Sequence, residues 1–232
     1  NVRLDEGTIE AWFTPMAELY PELKEGQFRG AFPLFALNVE GEFRVSANWA
    51  SKTGALSRVN GLGVNIANLS GPRDAMHNLT LSNVPGWKPG ERQHVAFTWK
   101  GKEMALIVDG KTHSARVQSM PFPGRLGDAV LEFGGVGGRN SAIILHAVRT
   151  STIARSAEAL KGAEPAADLH TILLDRFDRP DALAMAGEGK APRATTRPLV
   201  ASRLPGVSVG IVIGTARFVE TPAPGIALFP AQ

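Results

Sequence analysis

The chain has 232 residues, 44% of them hydrophobic, and a formal net charge of +3 at pH 7. It contains no cysteine, which excludes a disulfide scaffold, a thiolate zinc site and a cysteine nucleophile. Basic and acidic residues are interleaved without a basic stripe, so the composition does not support nucleic-acid binding.

Glycine, proline and the apolar stretches indicate the class of fold. The 25 Gly and 16 Pro residues favour many short elements joined by turns, as in a β-sandwich. The longest apolar stretch, Gly206 to Thr215, is too short for a membrane span, so we expect a soluble product. The chain begins at Asn1 without a charged and apolar leader, so we expect a processed product or an excerpt of a longer protein.

The first predicted strand runs from Thr8 to Thr14, where apolar and polar residues alternate. Ile9 and Phe13 lie on one face, which we expect in the core, and Glu10 and Trp12 lie on the other. The second face is therefore predicted to carry polar atoms and an indole.

Two further strands and a long loop follow. The apolar run from Ala31 to Leu37 predicts a central strand, although Pro33 lacks a backbone donor and indicates an edge or a bulge. Alternation from Phe43 to Trp49 predicts its hairpin partner. Residues 51 to 76 are predicted as a loop that contains one short strand, around Val64.

The clearest signal is a β-hairpin between Gly86 and Gly110. Apolar and polar residues alternate from Val95 to Trp99, so we expect this strand to be half buried. A charged, glycine-containing turn from Lys100 to Glu103 leads into the apolar run Met104 to Val108. Leu79 to Val84 leads into this hairpin. Other strands are predicted at Thr112 to Val117, Ala129 to Phe133 and Ser141 to Val148, and Ser156 is the predicted N-cap of a short helix.

The hairpin sequence WKPGERQHVAFTWKGKEMALIVDGK resembles the central hairpin of LamG-like domains and of concanavalin A-like lectin and glucanase jelly rolls. The segments EGTIEAWFTP, FGGVGGRN and AVRTSTIARSAEAL are similar to other parts of that family, in the same order. The resemblance covers about residues 1–162 and implies an all-β, antiparallel two-sheet β-sandwich of the jelly-roll type.

Residues 163–232 are predicted to form a C-terminal extension. Its strand-like segment at 170–178 resembles a strand that in this family lies beside the first and last strands. We expect it to fill that vacant sheet edge. Residues 181–205 are predicted as an extended arm, followed by short strands within 207–219 and 226–229.

Catalytic residues are not predicted. The resemblance to glucanases implies a Glu-x-Asp-x-Glu set of acids, which this sequence lacks, and Glu10 stands alone on its strand. The Gly-rich segment has Asn140 where a phosphate loop needs glycine, and it leads into a strand. We therefore expect a noncatalytic module, and an accessory domain of a larger glycoside hydrolase remains an open alternative.

No cofactor and no metal site are predicted, although the resemblance implies that relatives hold a structural calcium. The family's closing Ile-Asp-Glu-Val-Arg reads Leu-His-Ala-Val-Arg at residues 145–149, so both acids are absent. Asp109 and Asp128 remain the candidate oxygen ligands for calcium.

Carbohydrate binding is the function that the resemblance favours, because sugar rings pack on aromatic faces beside a few polar groups. Trp87, on a Lys-Pro-Gly turn, is the first candidate, with Trp12, Glu10, Asn48 and Trp49 as further ligand-binding candidates. The alternative for each tryptophan is a core or turn-stapling role.

Two functions follow as expectations. The first is a noncatalytic recognition module for carbohydrate or another extracellular ligand, which by resemblance is extracellular, on the cell surface or periplasmic. The second is a structural or assembly module that packs against a partner protein subunit through its C-terminal arm.

Overall fold

The computed structural model describes residues 5–15, 32–39, 43–50, 61–68, 77–82, 90–116, 129–136, 139–140, 143–161, 165–177, 215–219 and 225–229. These residues form an all-β sandwich of antiparallel sheets with one short helix. The predicted fold class is confirmed.

The elements are numbered along the chain. The strands are β1 (Glu6–Pro15), β2 (Phe32–Val39), β3 (Phe43–Ala50), β4 (Gly61–Asn68), β5 (His77–Ser82), β6 (Gln93–Lys100), β7 (Glu103–Val108), β8 (Lys111–Arg116), β9 (Ala129–Phe133), β10 (Gly135–Val136), β11 (Arg139–Asn140), β12 (Ile143–Ser151), β13 (Thr171–Asp175), β14 (Thr215–Val219) and β15 (Gly225–Phe229), and the helix is α1 (Ala157–Leu160).

The strands form two large sheets and one small one. The larger sheet has the order β14-β15-β12-β1-β6-β7-β8, with β13 also paired to β12. The second sheet has the order β5-β4-β3-β2-β9, and β10 pairs with β11. The strand β1 is thus central in the larger sheet, between β12 and β6.

Three local predictions are confirmed. The hairpin of β6 and β7 forms with Lys100 opposite Glu103, and Gly101 adopts a positive φ of 56° in its turn. A register shift occurs between Pro33 and Phe35 in β2, which has partners on both sides, so the proline is accommodated by a bulge. Ser156 caps α1 by accepting a hydrogen bond from the amide of residue 159.

The prediction that β6 is half buried is wrong. His94 and Thr98, on its polar face, are 9% and 6% exposed, and Glu10 on the matching face of β1 is fully buried. This face is covered because Leu160 of α1 packs against Ala96 and against its neighbour on β7. Alternation located the two faces correctly but could not show that later parts of the chain cover the polar one.

The predicted late edge strand is present as β13. It pairs with Val148–Ser151 of β12, on the side away from β1. The strand β15 occupies the other end of the same edge, at Ile143–Leu145. The extension therefore adds strands to the larger sheet. The predicted arm at 181–205 lies outside the described residues, and the domain boundary at 162 stays a prediction.

Removing residues 163–232 is expected to lower the melting temperature and the solubility of the protein, because β12 would lose its partners along one edge. A chain that ends at residue 177 keeps β13 and serves as the matched comparison, with a smaller expected loss. Thermal unfolding followed by circular dichroism measures both. An unchanged melting temperature in the chain ending at 162 would contradict the role of the extension.

In the part of the chain that the structure describes, no helix is long and apolar enough to cross a membrane.

Candidate functional site

A buried ion pair lies at the centre of the polar face of the larger sheet. Glu10 of β1 and Arg149 of β12 are cross-strand neighbours, so their side chains project from the same face. Arg149 donates from Nε to Glu10 Oε1 (2.7 Å) and from Nη2 to Oε2 (2.9 Å). This bidentate geometry is the strong form of an arginine–carboxylate pair. The Glu10 side chain is 0% exposed and that of Arg149 is 6% exposed.

Aromatic and imidazole rings pack beside this pair. The Trp12 and His94 rings stack with centroids 4.4 Å apart, and His94 Nε2 lies 3.3 Å from Glu10 Oε2. The Arg149 guanidinium lies 5.7 Å from the centre of the Trp12 ring, within cation–π range. Trp12 is 6% exposed, so its ring faces are used within the protein.

A segment after α1, residues 165–170, is held over this cluster by arginines, and we call it the strap. Arg149 Nη1 donates to the carbonyl oxygen of Ala166 (3.0 Å). Arg155 Nη2 lies 2.8 Å from each carboxylate oxygen of Asp168. Arg176 Nη2 donates to the carbonyl oxygen of Pro165 (2.8 Å). Arg149 of β12, with Arg155 and Arg176 just beyond the ends of β12 and β13, therefore fixes the strap.

The Asp168 carboxyl gives this attachment a pH dependence. Burial alone would raise its pKa, but hydrogen bonds from Arg155, Thr171 and the amide of His170 outweigh burial and hold the pKa below its ordinary value of 3.8. A group with a lowered folded pKa stabilises the protein above its unfolded pKa and loses that contribution as the pH falls through the folded pKa.

We therefore expect the strap contact to stabilise the wild type at neutral pH and to weaken below pH 3.8. The Asp168 side chain is 42% exposed, so the expected contribution is below about 1 kcal/mol. The difference in free energy of unfolding between wild type and Asp168→Asn, measured by urea unfolding at pH 6 and pH 3, should shrink at the lower pH. A difference that grows on acidification would contradict this assignment.

Glu10 and Trp12 are the two predicted ligand-binding residues that the structure brings together. Asn48 and Trp49 belong to β3 in the other sheet, where they lie opposite Pro33 and Phe32 of β2. Trp87 lies outside the described residues. The described ligand-binding candidates thus lie on two different sheets.

Sequence reasoning missed the partners that surround Glu10. Arg149 and Arg155, whose Nε lies 3.9 Å from Glu10 Oε1, are far from Glu10 in the sequence, and no motif spacing links them. The available signal was the apolar run that begins β12 at Ile143, which indicates a buried strand in which the charge of Arg149 needs a partner.

Of the two candidate calcium ligands, the structure describes Asp109 only. Asp109 Oδ1 accepts a hydrogen bond from the backbone amide of His94 (2.9 Å), and Asp128 lies outside the described residues. Within the described ranges, no three His, Asp or Glu side chains are grouped as metal ligands would be. A calcium role for Asp128 stays a prediction.

An open cleft lies beside α1, on the polar face of the larger sheet, and we call it the α1 cleft. Its volume is about 470 Å³. This lies within the usual size of small-ligand pockets, about 300–1,000 Å³. Strands β6, β7 and β8 and the segment leading into α1 supply its lining, which is Thr98, Lys100, Glu103, Met104, Ala105, Ile107, Thr112, Ala154, Arg155, Ser156 and Ala157.

No protein-family model and no curated protein matches the chain. Solved structures of phage tailspikes are similar to it. The enzymatically active domain of bacteriophage CBA120 tailspike protein 2 matches with a TM-score of 0.53 and 13% identity, over 77% of this chain and 27% of that one. Full-length tailspike protein 2 from an Escherichia coli O157:H7 bacteriophage matches with a TM-score of 0.53 and 14% identity, over 77% and 24%.

The chain therefore spans about a quarter of the length of these tailspike proteins. At such low identity the likeness is one of fold, and a fold hosts many unrelated sites. The class defined so far is an antiparallel β-sandwich with an open cleft on one sheet.

Proposed function

We propose that this chain is a noncatalytic recognition module, similar to LamG-like and concanavalin A-like domains, that binds carbohydrate or another extracellular ligand. The observation that carries the proposal is the contrast between two parts of one sheet face. The α1 cleft is open and mixes polar and apolar groups, whereas Glu10 is fully buried in an ion pair. A binding function needs an open cleft of this kind, and the Glu10 carboxylate is not accessible to act as a catalytic acid.

The tailspike neighbours are compatible with this function. One of them is described as an enzymatically active domain, and that activity is a property of the tailspike protein. Most of its length has no counterpart in this chain. As part of the same proposal, the module acts outside the cytoplasm, as its resemblance to lectin-like domains implies.

Trp87 remains the aromatic residue predicted to contact a sugar, since Trp12 is buried against His94. Trp87→Ala is expected to weaken carbohydrate binding at least fivefold, because a packed aromatic anchor contributes about 1 kcal/mol or more. Isothermal titration calorimetry against ligands selected on a glycan array measures this.

Trp99→Phe provides the comparison in the core, because Trp99 is 2% exposed and out of reach of a ligand. It should bind like wild type at a temperature where both are folded. If the protein binds no saccharide at millimolar concentration, with or without calcium, that result would contradict the recognition proposal.

One observation favours assembly as the second function. The hairpin of β14 and β15 adds to the larger sheet through three residue pairs only, Ile143–Leu145 with Ile226–Leu228, and β14 ends the strand order in the described sheet. Such an end strand can pair with another subunit. Light scattering tests this: a full-length oligomer that becomes a monomer when the chain ends at residue 177 supports assembly, and a full-length monomer counts against it.

A further inference from the structure

We propose that the α1 cleft is a binding site for a neutral saccharide, an inference that rests on the recognition function proposed above. Neither Glu10 nor Trp12 is among the described residues that line this cleft. Variants of the cleft and of Trp87 test the two proposed contacts separately.

The charges that line the cleft are balanced. Lys100 and Glu103 are cross-strand neighbours at the end of the β6 and β7 hairpin, and Lys100 Nζ lies 3.4 Å from Glu6 Oε1. The Arg155 guanidinium binds the Asp168 carboxylate with both oxygens at 2.8 Å. An anionic ligand would favour an excess of positive charge, and each basic residue in the described part of the lining has an acidic neighbour, so the electrostatics of that part favour an uncharged ligand.

The cleft nevertheless offers many hydrogen-bonding groups. Thr98 and Thr112 contribute hydroxyl groups, which both donate and accept, and the exposed Lys100 and Glu103 add a donor and an acceptor. A purely apolar ligand would leave these groups unpaired, which costs free energy on binding. A ligand with many hydroxyl groups matches both their number and their mixed character.

The floor of the cleft is apolar and made of small side chains. Ala105 and Ala157, which are half-buried, line it, and Ile107 beneath them is 1% exposed within the cluster that anchors α1. The floor is thus a fixed surface against which the C–H face of a sugar ring can pack. An apolar base with a few polar groups is the usual construction of a ligand site.

Ala105→Trp is the direct test, because Ala105 is half-buried in the floor of the cleft and a larger side chain there fills the space. The matched control is Ala167→Trp, which makes the same change at an exposed position outside the cleft lining. Calorimetric titrations use cellobiose, maltose and lactose as neutral probes and glucuronate as the charged probe. We expect at least one neutral probe to bind, Ala105→Trp to weaken it at least tenfold, and Ala167→Trp to leave it within twofold.

Thr112→Val provides a second variant in case Ala105→Trp does not fold. Thr112 is exposed on the rim, and its loss of one hydroxyl should weaken binding about threefold or more. If both cleft variants bind saccharide as well as the wild type does, the cleft is not the site, and the recognition function at another site stands. If glucuronate binds more strongly than the neutral probes, the assignment of a neutral ligand is wrong. If no saccharide binds even the wild type, the recognition function and this site fail together.

Discussion

Replacement of Arg149 by methionine is expected to lower the free energy of unfolding by about 3–5 kcal/mol, the usual cost of leaving one member of a buried ion pair unpaired. Glu10 would keep its full burial but lose both bonds from Arg149. The strap would also lose the bond to the Ala166 carbonyl oxygen. Since whole domains are stable by only about 5–15 kcal/mol, the variant should unfold at a much lower urea concentration.

The double variant Glu10→Leu with Arg149→Met separates a buried charge from lost packing. It removes both charges and keeps apolar volume, so we expect it to recover most of the stability lost in Arg149→Met. Lys100→Met is the exposed control, because it breaks a 3.4 Å contact with Glu6 in which the lysine side chain is 70% exposed. Its expected cost is at most about 1 kcal/mol. Equal costs for Lys100→Met and Arg149→Met would contradict the assignment.

The second large effect is expected at Gly7, where any side chain would collide with an indole. A Cβ atom added to Gly7 would lie 2.3 Å from Cζ2 of Trp99, its cross-strand neighbour. Trp99 is 2% exposed and stacks on Phe97 with ring centroids 5.6 Å apart, so it has little room to move. Gly7→Ala should therefore lower the free energy of unfolding by about 1–3 kcal/mol or more, through overpacking.

A double-mutant cycle with Trp99→Leu identifies the cause of that loss. If the indole causes the collision, the Gly7→Ala substitution should cost much less in the Trp99→Leu background than in wild type. Gly90→Ala is the comparison, because Gly90 has open space around it but a positive φ of 81°. It should cost about 1–2 kcal/mol in both backgrounds, from backbone strain alone. A Gly7→Ala cost that does not depend on residue 99 would contradict the packing argument.

Local patterns predicted the elements well where the relevant physics is local. The β6 and β7 hairpin, the bulge at Pro33 and the cap at Ser156 depend on residues close together in the sequence, and each is found. The strand predicted at 129–133 has the same bounds in the structure, and the late strand at 171–177 begins at the same residue as β13.

The candidate site was much less predictable, because its contacts join distant residues. The sequence predicts Glu10 and Trp12 as ligand contacts on the less apolar face of their strand. In the structure, Arg149, 139 residues further along, neutralises Glu10, and the strap lies over the pair. The α1 cleft likewise depends on how residues 154–157 are placed against β6 and β7, which no spacing in the sequence reveals.

The sequence by itself determined the all-β class, the position of most strands and which residues share a face, since alternation along a strand follows directly from backbone geometry. Only the tertiary structure decided which faces are covered, because burial depends on elements that return from far along the chain. Glu10 is an example. The residues next to it in the sequence predict its strand and the face on which it lies. Its burial against Arg149 requires β1 and β12 to lie side by side, which only the tertiary structure shows.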